Sequence, residues 1–466
     1  MPTNVLRNLP SVSELLESPP LKRLVDTMSR STLLTRVRSV LDDLRSEVQS
    51  ATSEIGLPAM TELAERIARR ILESERPALR PLVNASGSVL RDDLGRAPLA
   101  EEALGELLAT ARGYSNLELD LASGDPAPRA VAVTEALREL TGAEAALVVN
   151  NGAGAVMLTL AALASGREVV VSRGQLIELG RGCRLLDMIA ASGALVREVG
   201  TTNATYVDDY AQAITDRTAG LWRVQATSFV VSGSTSEVTL RELVELARPR
   251  QLPVVDDLGW AALVDLEPLG CGSWPQASAS LREGADLVLA CGDKLVGGPQ
   301  CGIILGRRSF VETLARHPLA RALQLDKLAL SSLAGTLRLY RNPGEAQRSV
   351  PLWQLLSAPL ENLKLRAERL APQMAECAAL RSAEPVPTTN DPAGSALATR
   401  QMASWAIALE PAQMSADRLA ARLRTGEPAV VGRVWNERVY LDLRSVFPRE
   451  DQQLVNAVLR LGQNAG

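Results

Sequence analysis

Residues 286–308 read DLVLACGDKLVGGPQCGIILGRR, which is two short apolar runs joined by a glycine-rich turn. The first run leads into Asp293 and Lys294, and the turn then holds Gly297 and Gly298. Apolar runs of this length are typical of strands that are buried on both faces of a parallel sheet. Ligands in such sheets bind beyond the carboxyl ends of the strands. Lys294 is therefore a candidate functional residue.

Similar apolar runs alternate with amphipathic helical stretches on the N-terminal side of this segment. They are AALVVN (145–150), EVVVSRG (168–174), LVREVGTTN (195–203), GLWRVQAT (220–227) and LPVVDDLG (252–259). Strands that alternate with helices predict an α/β fold with a mostly parallel sheet covered on both faces. We assign this large domain to residues 81–340.

Two regions of different character flank the predicted sheet. Residues 1–80 carry apolar residues at helical spacing, which predicts an N-terminal helical domain whose basic side chains could contact a partner. Residues 341–466 combine a long helical stretch with short strands and predict a small α+β domain. Within it, VPTTNDPAGSA (386–396) has the composition of a loop.

Composition excludes several classes of protein. The 466 residues carry a net charge of −4, which gives no sign of a nucleic-acid partner, and they contain one histidine, His317. A single histidine argues against a Ser-His-Asp triad or a multi-histidine metal site, and we expect no metal. Five cysteines without CxxC spacing, and the lack of a signal peptide or of an apolar run of about 20 residues, favour a cytoplasmic protein.

Three strand ends together predict a site for pyridoxal 5′-phosphate (PLP). This cofactor needs a lysine amine for a Schiff base, a carboxylate beside the pyridine nitrogen and a helix N-terminus for its phosphate. Lys294 can supply the first and Asp257 the second. The turn VVNNGAGAV (148–156) can supply the third, through Asn150, Asn151, Gly152 and Ala153.

The same stretches resemble bacterial selenocysteine synthase, the L-seryl-tRNA(Sec) selenium transferase family. The resemblance covers nearly the whole chain. It is carried by RPLVNASGSVLRDDLGRAPL (80–99), VVVSRG (169–174), EVGTTN (198–203), GDKLVGGPQCGIILGRR (292–308) and HPLARALQLDK (317–327). It implies a PLP-dependent aminotransferase-like fold (fold type I), an N-terminal domain that contacts tRNA, and a homo-oligomer, either a dimer or a ring of dimers.

The resemblance also implies an activity. Seryl-tRNA(Sec) would be converted to selenocysteinyl-tRNA(Sec) through a dehydroalanyl intermediate, with selenophosphate as the selenium donor. Lys294 matches the Schiff-base lysine and Asp257 the pyridine partner, while Asp293 matches the family's catalytic aspartate. Arg96 and Arg321 match arginines that bind the anionic donor.

Several positions around the predicted site depart from the family pattern. Gln225 stands where the family has a histidine over the cofactor ring, and we include it among the cofactor-binding residues; Arg173 is added to the substrate-binding ones. The other departures are Arg91, Asp92, Asp93, Asp125, Gln175 and Gln324, the last in place of a second donor arginine.

These departures leave two alternatives to selenium transfer. One is a related PLP lyase or transferase that acts on a small amino acid or amino sugar rather than on tRNA. The other is a protein of this fold that has lost catalysis and serves in binding or assembly.

Overall fold

A computed structural model describes residues 10–26, 28–50, 59–74, 77–180, 182–225, 231–265, 267, 273–391 and 401–463. The chain divides into two compact units, residues 1–81 and 82–466. Each unit has its own hydrophobic core.

The first unit is helical in its described residues, as the apolar spacing predicts. Its helices are α1 (Val12–Leu16), α2 (Pro19–Lys22), α3 (Arg30–Ser50) and α4 (Met60–Ser74). Helix α1 begins at a capping box in which Ser11 and Glu14 bond each other's backbone N–H groups. Buried residues from all four helices, including Leu15, Leu33 and Ile67, form the core.

The second unit is built on a seven-stranded sheet. In the order in which they lie side by side, its strands are β2 (Ala145–Val149), β10 (Gly302–Gly306), β9 (Leu287–Cys291), β8 (Val254–Gly259), β7 (Thr218–Val224), β3 (Glu168–Ser172) and β6 (Leu195–Val199). Only β10 runs antiparallel to its neighbours. All seven strands coincide with apolar runs in the sequence, so the predicted parallel sheet is confirmed.

Helices cover both faces of this sheet, and the sheet separates two cores of buried side chains. They are α5 (Glu101–Ala111), α6 (Val131–Thr141), α7 (Gly152–Ala164), α8 (Leu185–Ala191), α9 (Val207–Ala213), α10 (Leu240–Ala247), α11 (Ala277–Glu283), α12 (Arg308–Arg316), α13 (Pro318–Ala322), α14 (Lys327–Leu339), α15 (Pro343–Ser349) and α16 (Pro351–Leu356). A small antiparallel pair, β4 (Glu178–Gly180) with β5 (Cys183–Arg184), lies outside the main sheet. The polar ends of β2, β8 and β9 lead to the candidate site.

The C-terminal part of the second unit has a separate sheet and core. Strands β11 (Leu380–Asn390), β12 (Met402–Pro411), β15 (Arg438–Asp442) and β14 (Arg433–Trp435) pair in that order, all antiparallel. Helices α17 (Leu360–Ala375), α18 (Ala416–Thr425) and α19 (Asp451–Gln463) contribute to its core. A short strand, β1 (Leu82–Asn84), pairs in parallel with β13 (Ala429–Val431).

The loop predicted at VPTTNDPAGSA is wrong over residues 386–390. These residues form the end of β11, and residues 392–396 lie outside the described residues. Pro385 and Pro387 belong to the same strand, which is the edge of its sheet. Proline lacks an N–H to donate and is tolerated on an edge strand, so its presence did not exclude a strand here.

The predicted domain boundaries stay predictions. The one at 80/81 lies beside the division between the two units, whereas the one at 340/341 falls inside the second unit. Among the described residues, no helix combines the length and the apolarity that a membrane span requires.

A buried carboxylate organises the C-terminal sheet. Asp442, which is 1% exposed, accepts hydrogen bonds from Thr388 Oγ1 at 2.5 Å, Asn390 Nδ2 at 2.5 Å and Ser404 Oγ at 2.6 Å. It also accepts one from the Arg444 N–H at 3.0 Å. These bonds join β11, β12 and β15, because Thr388 and Asn390 lie on β11, Ser404 lies on β12, and Asp442 ends β15.

Replacing Asp442 with alanine should destabilise the protein strongly. The change leaves Asn390 and Ser404 buried without their acceptor, and each such group costs about 1–3 kcal/mol, so we expect a loss of at least about 2 kcal/mol. Urea unfolding followed by circular dichroism measures it. Asp417→Ala, which removes an exposed carboxylate in the first turn of α18, should cost under about 1 kcal/mol. Equal losses in the two variants would contradict this role.

Candidate functional site

Lys294 lies in the turn that joins β9 to β10, and backbone bonds fix the shape of that turn. Gly292 N donates to Cys301 O at 2.9 Å, and Gly297 N donates to Lys294 O at 2.9 Å. Gly297 has a φ of 65°, a left-handed conformation that glycine adopts without strain. The Lys294 side chain is therefore carried on a rigid support at the end of a central strand.

A buried tyrosine holds the turn from below. The Tyr340 hydroxyl donates to Val296 O at 2.8 Å and accepts from Trp353 Nε1 at 2.6 Å. Both aromatic side chains are about 1% exposed. Because burial raises the pKa of Tyr340, the hydroxyl stays protonated and remains a donor.

Asp257 is a buried carboxylate on the strand next to the one that leads to Lys294. It lies on β8, is 5% exposed, and its Oδ1 accepts from Gly259 N at 3.1 Å. Its Oδ2 has no hydrogen-bond partner among the described residues. Burial raises its pKa to about 7, while the Lys294 charge and the Gly259 N–H act to lower it. Asp257 and Lys294 are thus close enough for their charges to interact.

The N-terminus of α7 forms a cradle of small residues beside the lysine turn. Asn151 caps the helix, and its Oδ1 accepts from Gly154 N at 2.7 Å. A side chain could not be added at Gly152, because its Cβ would lie 2.4 Å from Cys291 Sγ. Asn150 and Ala153 are both exposed at this end of the helix. The cradle leaves backbone N–H groups of the first turn for an anion.

Asp293 is held by an ion pair from a distant part of the chain. Arg96 Nη1 donates to Asp293 Oδ2 at 2.6 Å, and Arg96 Nε donates to Asp92 Oδ1 at 2.6 Å. Asp293 Oδ1 is buried and has no partner within the described residues. The structure therefore brings Arg96, Asp293 and Lys294 together.

The other two arginines predicted to bind substrate are paired with glutamates. Arg321 Nη1 lies 3.9 Å from Glu118 Oε1, and its side chain is 74% exposed. Arg173 Nε donates to Glu198 Oε2 at 3.0 Å, and its Nη1 donates to Gly200 O at 2.6 Å. The stretch that contains Arg321 lies beside the N-terminus of α7, because Asn150 N donates to Leu323 O at 2.9 Å. No contact joins Arg173 to the lysine turn in the described structure.

Gln225 continues the ladder between β7 and β8. Its N–H donates to the backbone carbonyl of Asp257 at 2.9 Å, which places Gln225 opposite Asp257 on the neighbouring strand. The residues that follow it in the departing motif, 226–228, lie outside the described residues. Gln175, another departure, accepts from Val224 N at 2.9 Å and so packs under the same strand end.

Sequence reasoning missed an aromatic wall against the lysine. Lys294 Nζ lies 5.4 Å from the centroid of the Trp260 ring, and Trp260 stacks on Trp274 with centroids 6.1 Å apart. Such an arrangement stabilises a cation and shields it from water. The only signal was the position of Trp260, three residues after Asp257 at the end of a strand.

Residues that the sequence analysis set aside have structural roles. His317 caps α13, with its Nδ1 accepting from Leu319 N at 3.2 Å. Cys291 and Cys301 are buried in the lysine turn, and burial raises the pKa of both thiols. Cys271 lies outside the described residues. Within the described ranges, no group of three or more His, Cys, Asp or Glu side chains is placed to hold a metal ion.

The site fits PLP on observations of its own geometry. Asp257 offers an unbonded, buried carboxylate oxygen of the kind that a pyridinium N–H satisfies. Gly152 lets the N-terminus of α7 pack against Cys291 beside the lysine turn, and N–H groups of a first helical turn are those that bind a phosphate group. Lys294 lies between these two features on an adjacent strand end.

Comparisons with known sequences agree with this geometry. The family described as L-seryl-tRNA selenium transferase matches residues 82–447, and the one described as selenocysteine synthase N terminal matches residues 6–45. The L-seryl-tRNA(Sec) selenium transferase of Moorella thermoacetica is 43% identical over 99% of this chain and 98% of its own length. The protein of that name from Geobacter sulfurreducens is 41% identical over 98% of this chain and 99% of its own.

Among solved structures, D-glucosaminate-6-phosphate ammonia-lyase shares the fold. Its TM-score is 0.57 at 21% identity, over 83% of this chain and 97% of that one. The predicted PLP-dependent α/β fold of type I is confirmed, and PLP is the cofactor of the matching family. The chain belongs to the L-seryl-tRNA(Sec) selenium transferase family, and it is a transferase.

Proposed function

We propose that this chain converts seryl-tRNA(Sec) to selenocysteinyl-tRNA(Sec), with PLP on Lys294 and selenophosphate as the selenium donor. The observation that carries the proposal is the unbonded, buried Oδ2 of Asp257, on the strand next to the one that leads to Lys294. The small-substrate lyase is the weaker alternative, because relatives named for seryl-tRNA(Sec) match nearly the full chain, whereas the ammonia-lyase shares only the fold.

PLP, when bound, supplies a carbon that captures amines and a protonated ring that withdraws electrons. The chain's part is to orient that ring and to handle protons around it. Lys294 holds the cofactor and then offers its amine to take or give a proton at the seryl carbon. Asp257 Oδ2 would hold the ring nitrogen in its protonated form, and the Gln225 N–H supports the Asp257 backbone through the strand ladder.

The N-terminus of α7 would hold the phosphate of the cofactor. Asn150, Asn151, Gly152 and Ala153 would supply the contacts, and the positive end of the helix dipole favours negative charge there. Asp293 presents its unbonded Oδ1 to the reacting groups as a proton acceptor. The Trp260 ring covers the lysine and excludes water from one side.

The donor site is built around two arginines. Arg96 and Arg321 bind the selenophosphate oxygens by charge-assisted hydrogen bonds, which a guanidinium makes well to phosphate-like groups. Arg173, which is tied to Glu198, has a weaker claim to contact substrate. Gln324 lies in the same stretch and carries no charge, so the donor depends more heavily on Arg321.

Three broader features belong to the same proposal. The helices of residues 1–80 contact tRNA. The chain forms a homo-oligomer, either a dimer or a ring of dimers, and it works in the cytoplasm. The exposed basic side chains of α3 and α4, such as Arg36 and Arg66, support a contact with nucleic acid. The scattered cysteines, four of which are free thiols in the described residues, suit a reducing compartment.

Lys294→Ala should abolish both cofactor attachment and transfer. The purified wild type should show the yellow absorbance of lysine-bound PLP and should form selenocysteinyl-tRNA(Sec) from seryl-tRNA(Sec) and selenophosphate, but not consume free serine. The variant should show no yellow absorbance and should form no selenocysteinyl-tRNA(Sec). Lys364→Ala removes a lysine that pairs with Glu361 and Glu368, and it should behave as wild type. A wild type without the yellow band, or one that consumes only free serine, would refute the proposal.

Asp257→Asn should change how stability depends on pH in the cofactor-free protein. The folded pKa of about 7 lies above the ordinary 3.8, so the native state binds the proton more tightly. As the pH rises from 4 to 7, the free energy of unfolding of the wild type should therefore fall by about 1.4 kcal/mol per pH unit relative to that of the variant. Above pH 7 the difference should level off.

Urea unfolding at a series of pH values measures this difference for Asp257. Asp265→Asn, at an exposed position just beyond the same strand, serves as the control and should show no such slope. A constant difference between wild type and Asp257→Asn across pH 4 to 7 would mean that the carboxyl ionises as in water.

Arg321→Ala should impair donor use while leaving the cofactor in place. The loss of one charge-assisted hydrogen bond, about 1.5–3 kcal/mol, lowers kcat/KM for selenophosphate about 10- to 100-fold. Arg316→Ala, in the same stretch but paired with Glu312 one helical turn away, should have little effect. Bleaching of the yellow absorbance in Arg321→Ala would place this arginine at the cofactor rather than at the donor.

A further inference from the structure

Two neighbouring acidic residues, Asp92 and Asp93, make different ion pairs. Asp93 accepts from Arg91 Nε at 2.9 Å and Nη2 at 2.6 Å, so the two charges compensate each other locally. Asp92 instead accepts from Arg96 Nε at 2.6 Å. The side chains of Asp92 and Asp93 are 63% and 64% exposed, so they differ in partner and not in burial.

The backbone is shaped to make the Asp92 contact. Residues 92–94 form a single turn of 3-10 helix, and Gly95 follows with a φ of 85°. Arg96 itself has a φ of 62°, an unusual conformation for a residue with a side chain. Its N–H donates to Arg91 O at 2.9 Å, which closes the turn. The turn thus directs the Arg96 guanidinium toward Asp92 and Asp293 together.

Arg96 is consequently shared between two carboxylates. Nη1 is on Asp293 and Nε is on Asp92, both at 2.6 Å. Of the five N–H groups of a guanidinium, these bonds use two and leave three for a further acceptor. One positive and two negative charges give the group a net charge of −1. An anion that approaches Arg96 therefore meets both a competing acceptor and a net negative field.

We propose that Asp92 is a specificity-determining residue that weakens the binding of a phosphate-like oxyanion at Arg96. The proposal rests on the function proposed above, because it takes Arg96 as part of the donor site. Asp293, which is buried in the lysine turn, keeps its bond to Nη1 when the anion arrives. Asp92, which is largely exposed, is the acceptor that the anion displaces or repels. Asp92 acts through Arg96 and does not itself contact the donor.

The test titrates inorganic phosphate into the PLP-loaded enzyme at low ionic strength, by isothermal titration calorimetry. Asp92→Asn should bind phosphate about two- to fivefold more tightly than wild type, the range expected for removing one partly exposed ion-pair partner. Asp92→Glu keeps a carboxylate at this position and should bind phosphate with the affinity of the wild type. Asp93→Asn is the matched control, since it removes the same charge one residue away but leaves Arg96 paired, and its affinity should stay within the error of wild type.

Each other result would overturn the proposal. Unchanged or weaker phosphate binding in Asp92→Asn would mean that Asp92 does not compete for Arg96, or that it orients Arg96 for the anion. Equal tightening in Asp93→Asn would mean that only the net charge of the region matters. Asp92→Thr gives a second, differently shaped neutral variant, and retention of the yellow absorbance in both variants confirms that the site is folded.

Turnover supplies an independent readout. In Asp92→Asn the KM for selenophosphate should fall by a similar factor while kcat changes less than about twofold, a division that a purely structural residue would not produce. A drop in kcat with KM unchanged would overturn the proposal. If the wild type forms no selenocysteinyl-tRNA(Sec), the proposed function fails, but the phosphate titration still decides the role of Asp92 because it requires neither tRNA nor turnover.

Discussion

The buried carboxyl of Asp257, on the strand next to the one that leads to Lys294, is the constraint on which the rest of the site depends. A carboxylate with one oxygen unbonded inside a sheet is costly unless a partner satisfies it. The fold tolerates it because β8 and β9 are adjacent, parallel and fixed on both sides by further strands. The same central position that makes the carboxylate costly also keeps it dry, so that a pyridinium N–H can meet it at full strength.

The rest of the site consists of supports for this pair. The Tyr340 hydroxyl and the Trp353 indole hold the lysine turn from below, and Trp260 with Trp274 encloses the amine from the side. Arg96 reaches in from a segment nearly 200 residues earlier in the chain and fixes Asp293. A site of this kind is assembled from several strand ends, and its residues act together because the sheet is rigid.

The sequence was sufficient to predict the strands of the main sheet, for identifiable reasons, and the site residues stay predictions. Buried parallel strands are continuous apolar runs, so all seven strands of the main sheet were visible, and Lys294 and Asp257 stood out as polar residues at strand ends. The end of β11 was missed because its prolines are tolerated only by virtue of its edge position, which the sequence does not display. Trp260 and Asp92 were not assigned roles, since an aromatic wall or a shared arginine depends on distances between segments far apart in the chain.

The pairing of β1 with β13 has a consequence for how the protein forms during synthesis. Residues 82–84 lie against residues 429–431, and Ser445 Oγ donates to Asn84 O at 2.7 Å while accepting from Gly87 N at 2.9 Å. The segment that leads to Arg96 is therefore anchored by residues that leave the ribosome some 345 positions later. A nascent chain can complete its main sheet while this anchor is still missing. Residues 82–87 therefore gain these contacts only after residues 429–431 and Ser445 have been made.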